Sequence, residues 1–167
     1  HAVMVLTRQP RKSLSRLENE MVVNLREMSL EDYTQVIDLW QRTENIGISS
    51  ADSFENYQKF LQRNPGLCFV LLEDEKLIGT VLGGHDGRRG AIYHLAIDSN
   101  YRRKGYGQQL LDACMAAFSS CGIERCHIHV YADNEGGLKF WQKNGWFLRP
   151  ELALLSKDVS EKVEIKR

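Results

Sequence analysis

Arg102-Arg103-Lys104-Gly105-Tyr106-Gly107 is the stretch whose residue types and spacing could do chemistry. Three cationic side chains open it, and Gly105 and Gly107 remove the side chains that would keep a ligand away from the backbone. A strand-like run, Ala91 to Asp98, precedes it, and an apolar helical stripe of Leu110, Leu111, Cys114, Ala117 and Phe118 follows. A helix starting here presents unpaired first-turn N–H groups and the positive end of its dipole. The chemistry on offer is anion binding. A diphosphate could accept several charge-assisted hydrogen bonds from such a turn, each worth roughly 1.5–3 kcal/mol. The plain alternative is a glycine turn carrying solvated arginines.

That cationic turn is a local exception in a neutral chain. The 167 residues carry 22 Lys plus Arg against 22 Asp plus Glu, so no global field draws the protein to nucleic acid or an anionic membrane. The longest apolar run, Leu67 to Leu72, is too short to span a bilayer, and no basic-then-apolar leader opens the sequence. The expectation is a soluble, cytoplasmic protein with no nucleic-acid or membrane partner. Cys68, Cys114, Cys121 and Cys126 sit in apolar surroundings and read as reduced core thiols. Cys121 and Cys126 near His127 and His129 lack a second close ligand pair, so no metal is expected.

The elements that must position the turn form one domain, residues 21–167. Residues 1–20, with Arg8, Arg11, Lys12 and Arg16, read as an N-terminal extension or artificial leader, with Met21 as a plausible original start. Val22 to Met28 reads as a strand; Ser29 and Asp32 open a helix carrying Tyr33, Val36, Ile37 and Trp40. A second helix follows Ser53 and ends at Asn64-Pro65-Gly66. Three strands come next, Leu67–Glu73, Lys76–Gly83 and Ala91–Asp98, as an antiparallel meander. After the helix near Gly107 to Gly122 come a strand over Arg125–Tyr131, a helix over about Glu135–Asn144 and an extended stretch around Leu152–Leu155. The order is an α+β (mixed α/β) fold. A meander followed by a strand-helix-strand crossover opens the sheet where that helix starts, which is where anions bind.

From about Val22 to Val159 the chain resembles the GNAT superfamily of N-acetyltransferases. Its Arg/Gln-x-x-Gly-x-Gly/Ala signature lies at this strand-to-helix junction, here Arg102 to Gly107, preceded by His94-Leu95-Ala96-Ile97-Asp98 and followed by Asn134 to Trp146. The resemblance implies a central, mostly antiparallel sheet of about six to seven strands flanked by helices and splayed between the fourth and fifth strands. It implies acetyl-CoA as cosubstrate. Backbone groups of Leu95, Ala96 and Ile97 would flank the acetyl group and pantetheine, and a backbone N–H there would polarise the thioester carbonyl. Arg102 would open the diphosphate motif, and the backbone of Arg103, Lys104, Gly105, Tyr106, Gly107 and Gln108 would hold the diphosphate. Asn134 matches an asparagine that contacts the cofactor arm. The family often forms homodimers, in which residues 1–20 could take part.

Acetyl transfer from a thioester to an amine needs a neutral amine, a polarised carbonyl and a proton for the leaving thiolate. The base candidates are His94, His129 and Tyr93. Histidine has a suitable ordinary pKa, near 6.5. Alternation along a strand lets only one of Tyr93 and His94 face the acceptor, and His129 matches the place where some protein N-terminal acetyltransferases of the superfamily carry a glutamate base. The resemblance departs at the acid: Trp141 stands where many members have a tyrosine that protonates the thiolate. An indole cannot be an ordinary proton source, so solvent would supply that proton and Trp141 would line the pantetheine tunnel. No cysteine reads as an acyl-carrying nucleophile, so transfer to a primary amine would be direct, in a ternary complex. Arg42 to Asp52, with Glu44 as a carboxylate that could hold a cationic amine, would set the acceptor, whether a small molecule or a protein or peptide amine. The alternative is a non-catalytic module that binds CoA or acyl-CoA for regulation.

Overall fold

The computed structural model describes residues 22–163 and, as backbone, 165–166. The extension expected over residues 1–20 lies outside the described residues. Five strands form the main sheet: β1 (Val23–Glu27), β3 (Phe69–Glu73), β4 (Lys76–His85), β5 (Gly90–Ile97) and β6 (Cys126–Ile128), in that spatial order. β1, β3, β4 and β5 pair antiparallel in turn, and β6 joins β5 in parallel. A two-residue strand, β2 (Ile48–Ser49), pairs separately with β7 (Ile165–Lys166). The main sheet is one strand short of the expected range, because Leu152–Leu155 forms no strand; Leu152, Leu154 and Leu155 are exposed instead. β6 also ends at Ile128, before the expected Tyr131.

Two apolar layers cover the sheet. On one face lie α1 (Tyr33–Gln41) and α2 (Phe54–Arg63), whose Val36, Leu39, Trp40 and Tyr57 pack on Cys68, Val70, Leu72, Leu82 and Ala96. On the other lie α3 (Tyr106–Ser120) and α4 (Glu135–Lys143), with Leu110, Leu111, Cys114, Phe118 and Trp141 over Leu71, Ile78, Val81 and Ile92. Alternation on β3 sends Val70 and Leu72 to one layer and Leu71 to the other, as a strand buried on both faces must.

The packing sets where α3 begins. A Cβ at Gly83 would lie 2.6 Å from the Leu67 carbonyl oxygen and 2.7 Å from Cys114 Sγ, so only glycine lets α3 sit this close to β4. Among the described residues no helix is long and apolar enough to cross a membrane. Cys68 and Cys114 are buried as expected, and burial pushes the Cys68 thiol up to about 12. Cys121 departs from the core expectation: it follows the last turn of α3 and is exposed.

Candidate functional site at the opening between β5 and β6

β5 and β6 pair at Gly90, Ala91 and Ile92 with Cys126, His127 and Ile128, and then part. β5 runs on to Ile97 while β6 stops, so among the described residues the edge of Tyr93 to Ile97 facing β6 has no strand partner. The splay falls between the fourth and fifth strands of the main sheet in chain order, as expected. Side chains of Leu95 and Ile97 pack in the α3 layer and Ala96 in the α1 layer, leaving their backbone as the chemically available part.

The turn after β5 delivers the start of α3 to this opening. Asp98 is buried; its carboxylate accepts from the Asn100 N–H at 3.0 Å and from Arg42 at 2.9 Å. Burial pushes the Asp98 carboxyl up, but those two donors outweigh it and hold it below the ordinary carboxylate value. Arg103 and Gly105 take positive φ values of 62° and 80°, and Gly105, the residue before α3, has no atom within 4 Å of where a Cβ would stand. Among the described residues no side chain caps α3, so its first-turn N–H groups are free to receive an anion. Arg103 and Lys104 are exposed beside them, with Lys104 Nζ 5.8 Å from the Tyr101 ring centre. Tyr106 and Gly107 form the first turn with Gln108, whose amide donates to Asp112 at 2.7 Å.

Arg102 points elsewhere. Its guanidinium donates to both oxygens of Glu44, at 2.5 and 3.2 Å, and its Nε to the Ile97 carbonyl at 3.3 Å. That hydrogen bond holds the Glu44 carboxyl below its ordinary value. The carboxylate expected to meet a cationic amine is thus engaged by the first residue of the cationic turn.

The alternation expected at Tyr93 and His94 fails, for a definite reason. Thr80 pairs with Ala96 and Leu82 with Tyr93, so one residue of β4, Val81, faces two of β5 and the extra residue makes a β-bulge at His94 and Leu95. His94 adopts φ of 46° there, a conformation rare for a side chain of its size. Both side chains therefore face the α1 and α2 layer: Tyr93 packs edge-on to Phe60 at 6.0 Å, and His94 lies 4.5 Å from Trp40. The His94 carbonyl accepts from Thr80 Oγ1 at 2.9 Å, and Thr80 Oγ1 in turn accepts from Trp40 Nε1 at 2.8 Å. Nε2 of His94 lies 2.8 Å from Asp52 Oδ1.

The other candidates are not gathered around His94. His129 is exposed one residue beyond the end of β6 and makes no hydrogen bond among the described residues. Asn134 caps α4, its side-chain oxygen accepting from the Gly137 N–H at 2.9 Å, which leaves its NH₂ available. Trp141, expected along the pantetheine path, is only 8% exposed and sits in the α3 and α4 layer, edge-on to Trp146 at 4.9 Å. Phe140, the expected core residue, is the one that reaches the turn: its ring would stand 3.6 Å from a Cβ at Gly107. Trp40, Thr80 and Asp52 were missing from the candidates. Trp40 and Thr80 look like ordinary core residues, and the one signal for Asp52 is the Ser49-x-x-Asp52 spacing of a capped turn.

The family model described as the acetyltransferase (GNAT) family matches residues 31–146. Acetyltransferase SG1711 of Sodalis glossinidius is 26% identical over 134 residues, 80% of this chain and 94% of that protein. Among solved structures, Ard1 from Thermoplasma volcanium has a TM-score of 0.68 at 20% identity, covering 76% of this chain and 84% of its own. The PaiA N-acetyltransferase from Thermoplasma acidophilum, solved in complex with coenzyme A, has a TM-score of 0.67 at 20% identity, covering 87% of this chain and 97% of its own. With its splayed sheet, uncapped α3 and matching family model, the chain belongs to the GNAT family of acetyltransferases.

Proposed function

We propose that this protein transfers the acetyl group of acetyl-CoA to a primary amine by direct attack in a ternary complex. The observation that carries the reading is the parting of β5 from β6 beside the uncapped start of α3. That opening offers an unpaired strand edge for an amide-bearing arm and N–H donors for a diphosphate. Acetyl-CoA supplies the activated acyl group, a thioester. The backbone of Leu95 to Ile97 takes the arm and the carbonyl, the backbone of Arg103 to Gln108 with Lys104 takes the diphosphate, and the Asn134 amide lies along the arm.

Of the three base candidates, His94 is supported best. It stands at the bulge beside Leu95, half-buried, held by Asp52 and packed against Trp40, whereas His129 is solvated. A base at that position takes the amine proton as the N–C bond forms and the C–S bond breaks, and the thiolate takes its proton from solvent. The connection from Arg42 to Asp52 forms the acceptor side.

The test is release of free CoA thiol from acetyl-CoA across a panel of peptide α-amines, lysine, polyamines and aminoglycosides. Amine-dependent release that falls about 100-fold or more in His94→Gln, with acetyl-CoA affinity kept, is the expected result. Thermal stabilisation by acetyl-CoA with no release on any amine would refute the reading in favour of a non-catalytic CoA-binding module. Full activity in His94→Gln would refute the base.

A further inference from the structure

We infer that Asp52 fixes His94 as the Nε2–H tautomer, so that Nδ1 is the atom that accepts the amine proton. The inference rests on the activity proposed above but makes a claim about the ring that can be checked without any turnover.

The two side chains are the right kind and the right distance apart. Asp52 Oδ1 and His94 Nε2 are 2.8 Å apart, with the Asp52 side chain 7% exposed and that of His94 18% exposed. An ionised carboxylate only accepts hydrogen bonds, and a neutral imidazole carries one N–H. The hydrogen between them therefore belongs to Nε2, and the lone pair is left on Nδ1. Nδ1 makes no hydrogen bond among the described residues, and it is not among their buried polar atoms that lack a partner.

Asp52 is also anchored before it reaches His94. Its second oxygen, Oδ2, accepts from the Ser49 N–H at 2.9 Å, and its own carbonyl accepts from the Tyr33 hydroxyl at 2.9 Å. The short 3₁₀ turn Ser50–Asp52 thus presents the carboxylate in one orientation, with one oxygen for the backbone and one for the ring. On the histidine side, the Trp40 ring packs against the imidazole at a tilt of 60° and Thr80 holds the carbonyl. A ring restrained by two side chains, on a residue of positive φ whose carbonyl is held by a third, is a common signature of a working site.

This arrangement separates a positioning role from a plain tether. In Asp52→Asn the amide has only one acceptor. The Ser49 N–H, which donates to Oδ2 in the native protein, takes that oxygen, and the NH₂ then faces Nε2. An NH₂ donor requires a bare Nε2, so the ring proton moves to Nδ1 and the base is blocked. A mere tether would survive, because the two side chains stay hydrogen-bonded.

The experiment uses the full chain labelled with ¹⁵N-histidine. Long-range ¹H–¹⁵N correlation spectra assign which ring nitrogen of His94 carries the proton, and steady-state kinetics on the best amine of the panel give kcat and the KM for acetyl-CoA. The expected result is Nε2–H in the wild type and Nδ1–H in Asp52→Asn. In that variant kcat falls at least about tenfold with KM for acetyl-CoA within about twofold, and Asp52→Glu recovers part of the loss. Nδ1–H in the wild type overturns the inference whatever the turnover. Wild-type kcat in Asp52→Asn overturns it while the proposed activity stands. Failure of that activity shows separately, as no thiol release from the wild type.

Discussion

Thr80→Val tests the hydrogen-bonded chain that holds the bulge. Thr80 is fully buried, and its hydroxyl serves two partners: it accepts from Trp40 Nε1 at 2.8 Å and donates to the His94 carbonyl at 2.9 Å. Valine keeps the shape and loses both bonds. The Trp40 indole N–H, in a side chain 1% exposed, cannot reach water. An orphaned buried polar group costs about 1–3 kcal/mol, and the half-buried His94 carbonyl lies at the low end, so the variant is expected to lose about 2–4 kcal/mol. For a chain of this size each kcal/mol lowers Tm by roughly 2–4 °C. Thr80→Ser keeps the hydroxyl and loses a methyl, about 1 kcal/mol. Urea melts of both variants measure the difference, with m expected unchanged. In a Trp40→Phe background the cost of Thr80→Val should shrink by about 1 kcal/mol, since the indole donor is already gone. With His94 free to relax its positive φ, amine acetylation should fall further in the valine than in the serine variant. Equal stability of the two variants, or strict additivity with Trp40→Phe, would refute the reasoning.

Two further expectations follow from the turn and from the buried carboxylates. Gly105→Glu puts an anionic side chain into the open space before α3 at a φ of 80°, and acetyl-CoA affinity by titration calorimetry should fall at least about tenfold; unchanged affinity would mean that the diphosphate binds elsewhere. For Asp32, burial raises the carboxyl, but two Arg26 hydrogen bonds at 2.7 Å and the Ser29 N–H at 2.8 Å outweigh it and hold it below its ordinary value. A carboxyl depressed in the folded state stabilises above its unfolded pKa, about 4, and that stability is lost as pH falls through the folded value. Tm should therefore drop along an acid limb below about pH 4, and Asp32→Asn should flatten it; an identical limb in the variant would sink the assignment.

What was legible in the sequence was local. The helices follow from apolar residues at helical spacing between caps, as with Ser53 before α2 and Asn134 before α4, whose side chains accept from Asn56 and Gly137. The meander and the parallel crossover follow from turn residues and the helix between the strands. The bulge was not legible. Nothing in Tyr93-His94-Leu95 differs from an alternating strand; the extra residue exists only in the register against β4, where Thr80 and Leu82 face Ala96 and Tyr93. Leu152 to Leu155 failed the other way, since its apolar residues suit a strand but β6 ends too early to pair with it.

The largest gap concerned partners far apart in the chain, and they share a geometry. Arg42 meets Asp98, Glu44 meets Arg102 and Asp52 meets His94, so three side chains of one connection are tied to β5 and the turn after it. The Arg102–Glu44 pair, with side chains 40% and 63% exposed, contributes little stability. The consequence of all three pairs is geometric: the segment proposed to form the acceptor side is registered against the same strand that carries His94 and leads into the start of α3. Under the proposed function, an amine held by that segment and a diphosphate held at α3 would both be measured from one strand, β5. The bulge at His94 puts the proposed base on the same face as Tyr93, a side that alternation alone would have denied it.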